Sequence, residues 1–77
     1  MTADAPDRPV KRSLTLSGHR TSVSMEAAFW DEFRRLANAR GVSINALASE
    51  LDRARTPPAS LASAIRLFVL GEIRAGR

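Results

Sequence analysis

The sequence predicts a small, mostly α chain. One N-terminal strand, with a β-hairpin as the alternative, leads into two helices joined by a very short turn, and a third, apolar helix follows. Three observations predict this order. Residues 20–25, RTSVSM, alternate polar and apolar side chains and then enter a helical pattern with no Gly, Pro or Asn between. GVSIN at 41–45 ends one helical pattern and opens another. LASAIRLFVL at 61–70 is apolar around most of its circumference, so something must cover it.

In the strand, Thr21, Val23 and Met25 point one way and Arg20, Ser22 and Ser24 the other. A strand this short needs a partner, and two sources are open. KRSLTLSGHR sets Leu14 and Leu16 against Ser13, Thr15 and Ser17, and Ser17-Gly18 is a turn signal, so residues 12–16 can fold back on 20–25. They can equally form an arm that crosses another surface. The second source is the same stretch of a second chain, paired antiparallel across a two-fold axis.

The first helix is expected over Glu26 to Arg40. Phe29, Phe33, Leu36 and Ala37 make one apolar face, Trp30 widens it, and Asp31–Arg35 is an i,i+4 pair on the opposite side. Gly41 is the natural residue just past its end. Ser43 is a good N-cap for the second helix, whose face is Ile44, Leu47, Ala48 and Leu51. That helix should end near Arg53 or Arg55, because Thr56-Pro57-Pro58 cannot continue it. Ser60 restarts helix, with Leu61, Ala64, Ile65, Phe68, Val69, Leu70 and Ile73 as its apolar positions. Arg66 and Arg74 read as surface residues.

With 77 residues there is room for one small domain, expected over 11–74 after a disordered tail at 1–10. A core this small is marginal alone. The chain has no cysteine, which removes disulfides and thiolate metal sites, and its lone His19 has no ligand set around it. Oligomerisation is the remaining support, so a homodimer is expected, with Val23, Met25, Phe29, Trp30, Phe33, Leu47 and Leu51 as its core and higher oligomers open through the third helix. No apolar run reaches a membrane span, and MTADAPDRPV does not resemble a secretory signal, so a cytoplasmic protein is expected.

The net charge of +4 is unevenly placed. From Arg8 to Met25 the chain carries Arg8, Lys11, Arg12, Arg20 and His19 and no acid, whereas from Glu26 to Arg55 the charges cancel. A localised basic surface suits a polyanion, nucleic acid first; a merely solubilising arm would have the same composition.

Taken together, RTSVSMEAAFWDEF and GVSIN resemble the ribbon-helix-helix domain, the fold of the Arc and methionine repressors. GHRTSVSMEAAFW with SINALASELD and LASAIRLFVL is similar, more narrowly, to small alphaproteobacterial proteins of that fold, over residues 11–70. The resemblance implies an intertwined homodimer, its two strands forming an antiparallel ribbon that enters the DNA major groove. It places Arg20, Ser22 and Ser24 against bases and Ser43, Ile44 and Asn45, at the start of the second helix, against phosphate. Lys11 and Arg12 are candidates for flanking phosphates. Two of the three base-facing positions are serine, whose hydroxyl suits several base edges, where the named repressors favour longer polar side chains; Arg20 would supply most of the discrimination.

The first expectation is therefore a homodimeric transcriptional regulator, of the repressor kind, on double-stranded DNA and associated with the nucleoid when bound. From a different class comes a protein-interaction module or antitoxin-like adaptor with the same dimer fold and a protein partner. An enzyme is not expected, nor any metal or cofactor: there is no Gly-rich phosphate loop, and the chain is too short to enclose a pocket.

Overall fold

A computed structural model describes residues 8–77 as a two-stranded antiparallel sheet followed by three helices. The strands are β1 (Pro9–Leu16) and β2 (His19–Glu26); the helices are α1 (Ala27–Ala39), α2 (Ile44–Ala54) and α3 (Leu61–Arg74). Of the tail expected over 1–10, residues 1–7 lie outside those described, while Pro9 and Val10 belong to β1. Pro is tolerated there because it opens an edge strand.

Residues 20–25 thus find their partner within the chain: β1 occupies the place that the resemblance gave to a second copy. The turn explains why. Ser17 (φ +52°) and Gly18 (φ +86°) are both left-handed, as a two-residue type I′ turn requires, and that turn matches the twist of the strands it joins. The register pairs Val10 with Met25, Arg12 with Val23 and Leu14 with Thr21 on the face above the helices. Lys11 with Ser24, Ser13 with Ser22 and Thr15 with Arg20 share the opposite, solvent-exposed face.

Beneath the sheet lies one core. Leu14, Val23 and Met25 come from the hairpin, Trp30, Phe33, Leu36 and Ala37 from α1, Leu47 and Ala48 from α2, and Ile65 and Val69 from α3. Phe33 is its centre, fully buried, with Trp30 tilted at 5.9 Å and Phe68 edge-on at 6.4 Å between ring centroids. Of the residues expected in a dimer core, Val23, Met25, Trp30, Phe33 and Leu47 are buried inside this single chain, and Phe29 and Leu51 are half-buried against it. The third helix packs Ile65 and Val69 into this core. It leaves Leu67, Leu70 and Ile73 exposed on its outer side.

The helix ends follow local chemistry. α1 closes on Gly41 (φ +71°), where Val42 N–H donates to Ala37 and Gly41 N–H to Asn38, both at 3.0 Å, in a Schellman arrangement. Ser60 caps α3 by accepting from Ser63 N–H at 3.1 Å. Arg55 fastens the end of α2 to the linker through Asp52 (2.6 Å) and the Ala59 carbonyl (2.8 Å). The expected Asp31–Arg35 pair is replaced by Glu32–Arg35 at 2.7 Å, and the same guanidinium donates to the backbone oxygen of Arg77 at 3.0 Å.

Two ion clusters tie α3 down. Arg66 donates to Glu26 Oε1 at 3.0 Å and to the Ser24 carbonyl at 3.3 Å, so it is a latch between α3 and the end of β2 rather than a surface residue. Glu72, only 8 % exposed, sits between Arg77 at 3.0 Å and Arg40 at 3.1 Å. Arg40 in turn stacks over Phe68 at 4.8 Å.

Candidate nucleic-acid interface

The exposed face of the hairpin contains Lys11, Ser13 and Thr15 from β1 and Arg20, Ser22 and Ser24 from β2. Arg20, Ser22 and Ser24 lie together there, as the alternation of RTSVSM predicts. The ion pairs among the described residues engage Arg35, Arg40, Arg55, Arg66 and Arg77; none engages Lys11, Arg12 or Arg20. The cations of the hairpin are therefore not neutralised by the protein's own described acids.

Lys11 and Arg12 part company. Neighbouring residues of a strand point to opposite faces, so with Lys11 outward Arg12 must turn in. Its guanidinium lies 5.7 Å from the Trp30 ring centroid, and its Nε is buried without a hydrogen-bond partner. Trp30 is accordingly core on one side and a platform for Arg12 on the other.

The start of α2 abuts the same surface. Ser43 Oγ accepts from Ala46 N–H at 3.0 Å, which caps the helix and leaves the hydroxyl proton able to donate outward. The N–H groups of Ile44 and Asn45 remain at the positive end of the helix, where anions are favoured. Asn45 Oδ1 accepts from Thr15 N–H at 2.9 Å, so the helix start is fastened to the outer edge of β1. Its amide nitrogen is still a donor. Ile44 is half-buried against the core, so only its backbone can serve a ligand.

This bond fits the pairing pattern. Across a two-residue turn, Leu16 and His19 exchange backbone hydrogen bonds, so the polar groups of Lys11, Ser13, Thr15, Arg20, Ser22 and Ser24 face the outer edges. Asn45 takes up Thr15 on one edge and Arg66 takes up Ser24 on the other.

Sequence reasoning named Lys11 of β1 but not Ser13 and Thr15, which share its exposed face. Their signal was present in KRSLTL, whose polar members Lys11, Ser13 and Thr15 are the outward set once pairing is known. Arg66 had no comparable signal, since its partner Glu26 is 40 residues away. Glu26 is held below the usual carboxylate range first by its own backbone N–H and then by Arg66. No group of three His, Asp or Glu among the described residues is placed to hold a metal ion, and no helix of theirs is long and apolar enough to cross a membrane.

No curated protein and no solved structure matches the chain. A family model does: the ribbon-helix-helix domain, over residues 9–73. That span takes in both strands and nearly all of α3, and the hairpin, the two helices around GVSIN and the exposed polar face are the parts it joins. The chain belongs to the ribbon-helix-helix domain family.

Proposed function

We propose that the protein is a double-stranded-DNA-binding transcriptional regulator that acts as a homodimer, with its hairpin in the major groove. One observation carries this reading: an exposed two-stranded ribbon whose Lys11 and Arg20 meet no described acid stands beside a helix start with unpaired N–H groups. A two-stranded ribbon fits the major groove, and helix N-termini bind phosphate. Arg20, Ser22 and Ser24 face bases in this reading. Ser43, Ile44 and Asn45 meet phosphate through the hydroxyl proton, the two N–H groups and the Asn45 amide. Lys11 reaches a flanking phosphate, whereas Arg12, turned inward on Trp30, approaches one only through the outer nitrogens of its guanidinium. Leu67, Leu70 and Ile73, left exposed on α3, are apolar surface available to a second copy.

The test is titration of random and selected duplexes over a salt series. Binding should weaken steeply with salt as counterions are released. Arg20→Ala should cost about 1–3 kcal/mol on a preferred site if it reads a guanine. Retention of full binding by that variant refutes the assigned face.

A second reading, a protein-interaction module, is favoured by one feature: an apolar groove between α1 and α3 lined by Ala28, Phe29, Glu32, Val69 and Ile73. Failure to shift any duplex at low salt would leave this second reading in place.

A further inference from the structure

We infer that the hairpin of a single chain is a complete reading ribbon, in which Ser13 and Thr15 of β1 contact bases alongside Ser22 and Arg20 of β2. This deepens the DNA-binding reading and rests on it. In the assignment carried over from the family's two-chain ribbon, only the strand that enters the first helix reads DNA. Here that strand is paired by β1 of its own chain, so Ser13 and Thr15 on the exposed face have no assigned role.

The geometry makes the two halves inseparable. The outward pairs Lys11–Ser24, Ser13–Ser22 and Thr15–Arg20 alternate with the hydrogen-bonded pairs and are therefore the closely spaced kind, with Cβ atoms about 4.5–5.5 Å apart. Four of the six side chains are hydroxyl residues. A serine hydroxyl stands one bond beyond Cβ, so Ser22 reaches a base edge only when the backbone itself lies deep in the groove. At that depth Ser13, its cross-strand neighbour, is at the floor as well. A groove about 12 Å wide admits both strands. From Lys11 to Thr15 the face is about 13 Å long at about 3.3 Å per residue, the rise of about four base pairs. Lys11 and Arg20 stand at diagonal corners, so the long cationic side chains flank a centre of short ones.

Thr15 adds something the serines lack. Its methyl group suits the thymine methyl, and it stands directly across from Arg20, whose fork suits guanine. The site is thus expected to place a thymine next to the guanine that Arg20 reads. Thr15 is well placed for this duty, because its N–H is held by Asn45 and its strand cannot drift from the helix start.

The experiment is selection of duplexes from a random library by the full chain, run with wild type, Ser13→Ala, Thr15→Ser and Arg20→Ala. All three side chains are exposed, so the variants should melt with the wild type, which calorimetry checks. Ser13→Ala and Thr15→Ser should each alter the preference at one position and leave the others intact. In the wild-type site, replacing the thymine by deoxyuridine should weaken binding about fourfold, the effect of one methyl group returned to water. Thr15→Ser should not distinguish the two bases. If both β1 variants select the wild-type sequence while Arg20→Ala does not, β1 lies outside the groove and the inference is overturned with the DNA reading intact. Binding without any sequence enrichment overturns it in the same way. A wild-type chain that binds no duplex overturns the DNA reading and the inference together.

Discussion

Leu14→Ala measures whether β1 is a structural strand or an arm. Leu14 is 2 % exposed, on the inner face of β1, and belongs to the same core as Phe33, Leu47 and Ile65. Truncation removes apolar carbon equivalent to about three methylene groups, at about 0.8 kcal/mol each. The cavity left behind adds to this, and buried Leu→Ala changes cost about 2–5 kcal/mol. A loss near 3 kcal/mol is expected, since the site is bounded by helices on one side and by the paired strand on the other. For a domain of this size that is a shift of more than about 12 °C in melting temperature. The assay is urea unfolding followed by circular dichroism, with Ser13→Ala, on the exposed face of the same strand, as the control. The midpoint should fall with an unchanged slope, and the control should stay within about 0.5 kcal/mol of wild type. A Leu14→Ala variant as stable as that control would show that β1 is not docked, and the hairpin, its register and its outward face would fall with it.

Three further outcomes follow from named contacts. Asn45→Ala should cost about 0.5–1.5 kcal/mol and speed hydrogen exchange at the Thr15 amide, the donor it leaves without an acceptor; unchanged exchange there would remove the tie between α2 and β1. Ser17→Asn should stabilise by about 0.5–1 kcal/mol in thermal melts, because Asn tolerates the left-handed backbone (φ +52°) better than Ser, and no gain would count against the type I′ turn. Glu72 is held below its ordinary range by hydrogen bonding to Arg77 first and Arg40 after it, against the opposing effect of burial. A lowered folded-state value means that its contribution is complete above the unfolded value of about 4.3 and is lost as the pH falls through the folded one. Melting temperature should therefore drop below about pH 4.3, and Glu72→Gln should flatten that drop, with differential scanning calorimetry from pH 7 to 3 as the measurement.

What was legible in the sequence was local. The α1 face of Phe33, Leu36 and Ala37 needs only a 3.6-residue period, and the stop at Gly41 and the cap at Ser43 depend on neighbours within a turn. The partner of β2 was less legible because strand pairing joins residues that are not neighbours in sequence: RTSVSM is satisfied equally by KRSLTL or by its own copy. The inward turn of Arg12 follows from parity, but only after β1 is known to include it. The Glu32–Arg35 choice over Asp31–Arg35 was beyond local rules, as both spacings are permitted on a helix. Arg66 shows the same limit over a greater distance. Its environment is set by the fold that brings α3 to Glu26, and no window of sequence contains both.

The two edges of the sheet decide how a second chain can join. On β1, Pro9 has no N–H and the N–H of Thr15 belongs to Asn45, so the open stretch of that edge is confined to Lys11 and Ser13. On β2, Arg66 occupies the Ser24 carbonyl, and the open stretch is confined to Arg20 and Ser22 near the turn. A ribbon shared between two chains must therefore either add at one of these short stretches or displace β1. Displacement withdraws Leu14 from the core and opens the Asn45 contact in each chain, a loss of several kcal/mol that the new pairing would have to match. These alternatives separate by mass action. If the dimer keeps its hairpins, the cost of Leu14→Ala is the same at every protein concentration. If the chains exchange strands, Leu14 packs in the partner's core, and its loss makes unfolding more concentration-dependent as the dimer weakens. The geometry here, with both strands docked and the core closed within one chain, favours the first.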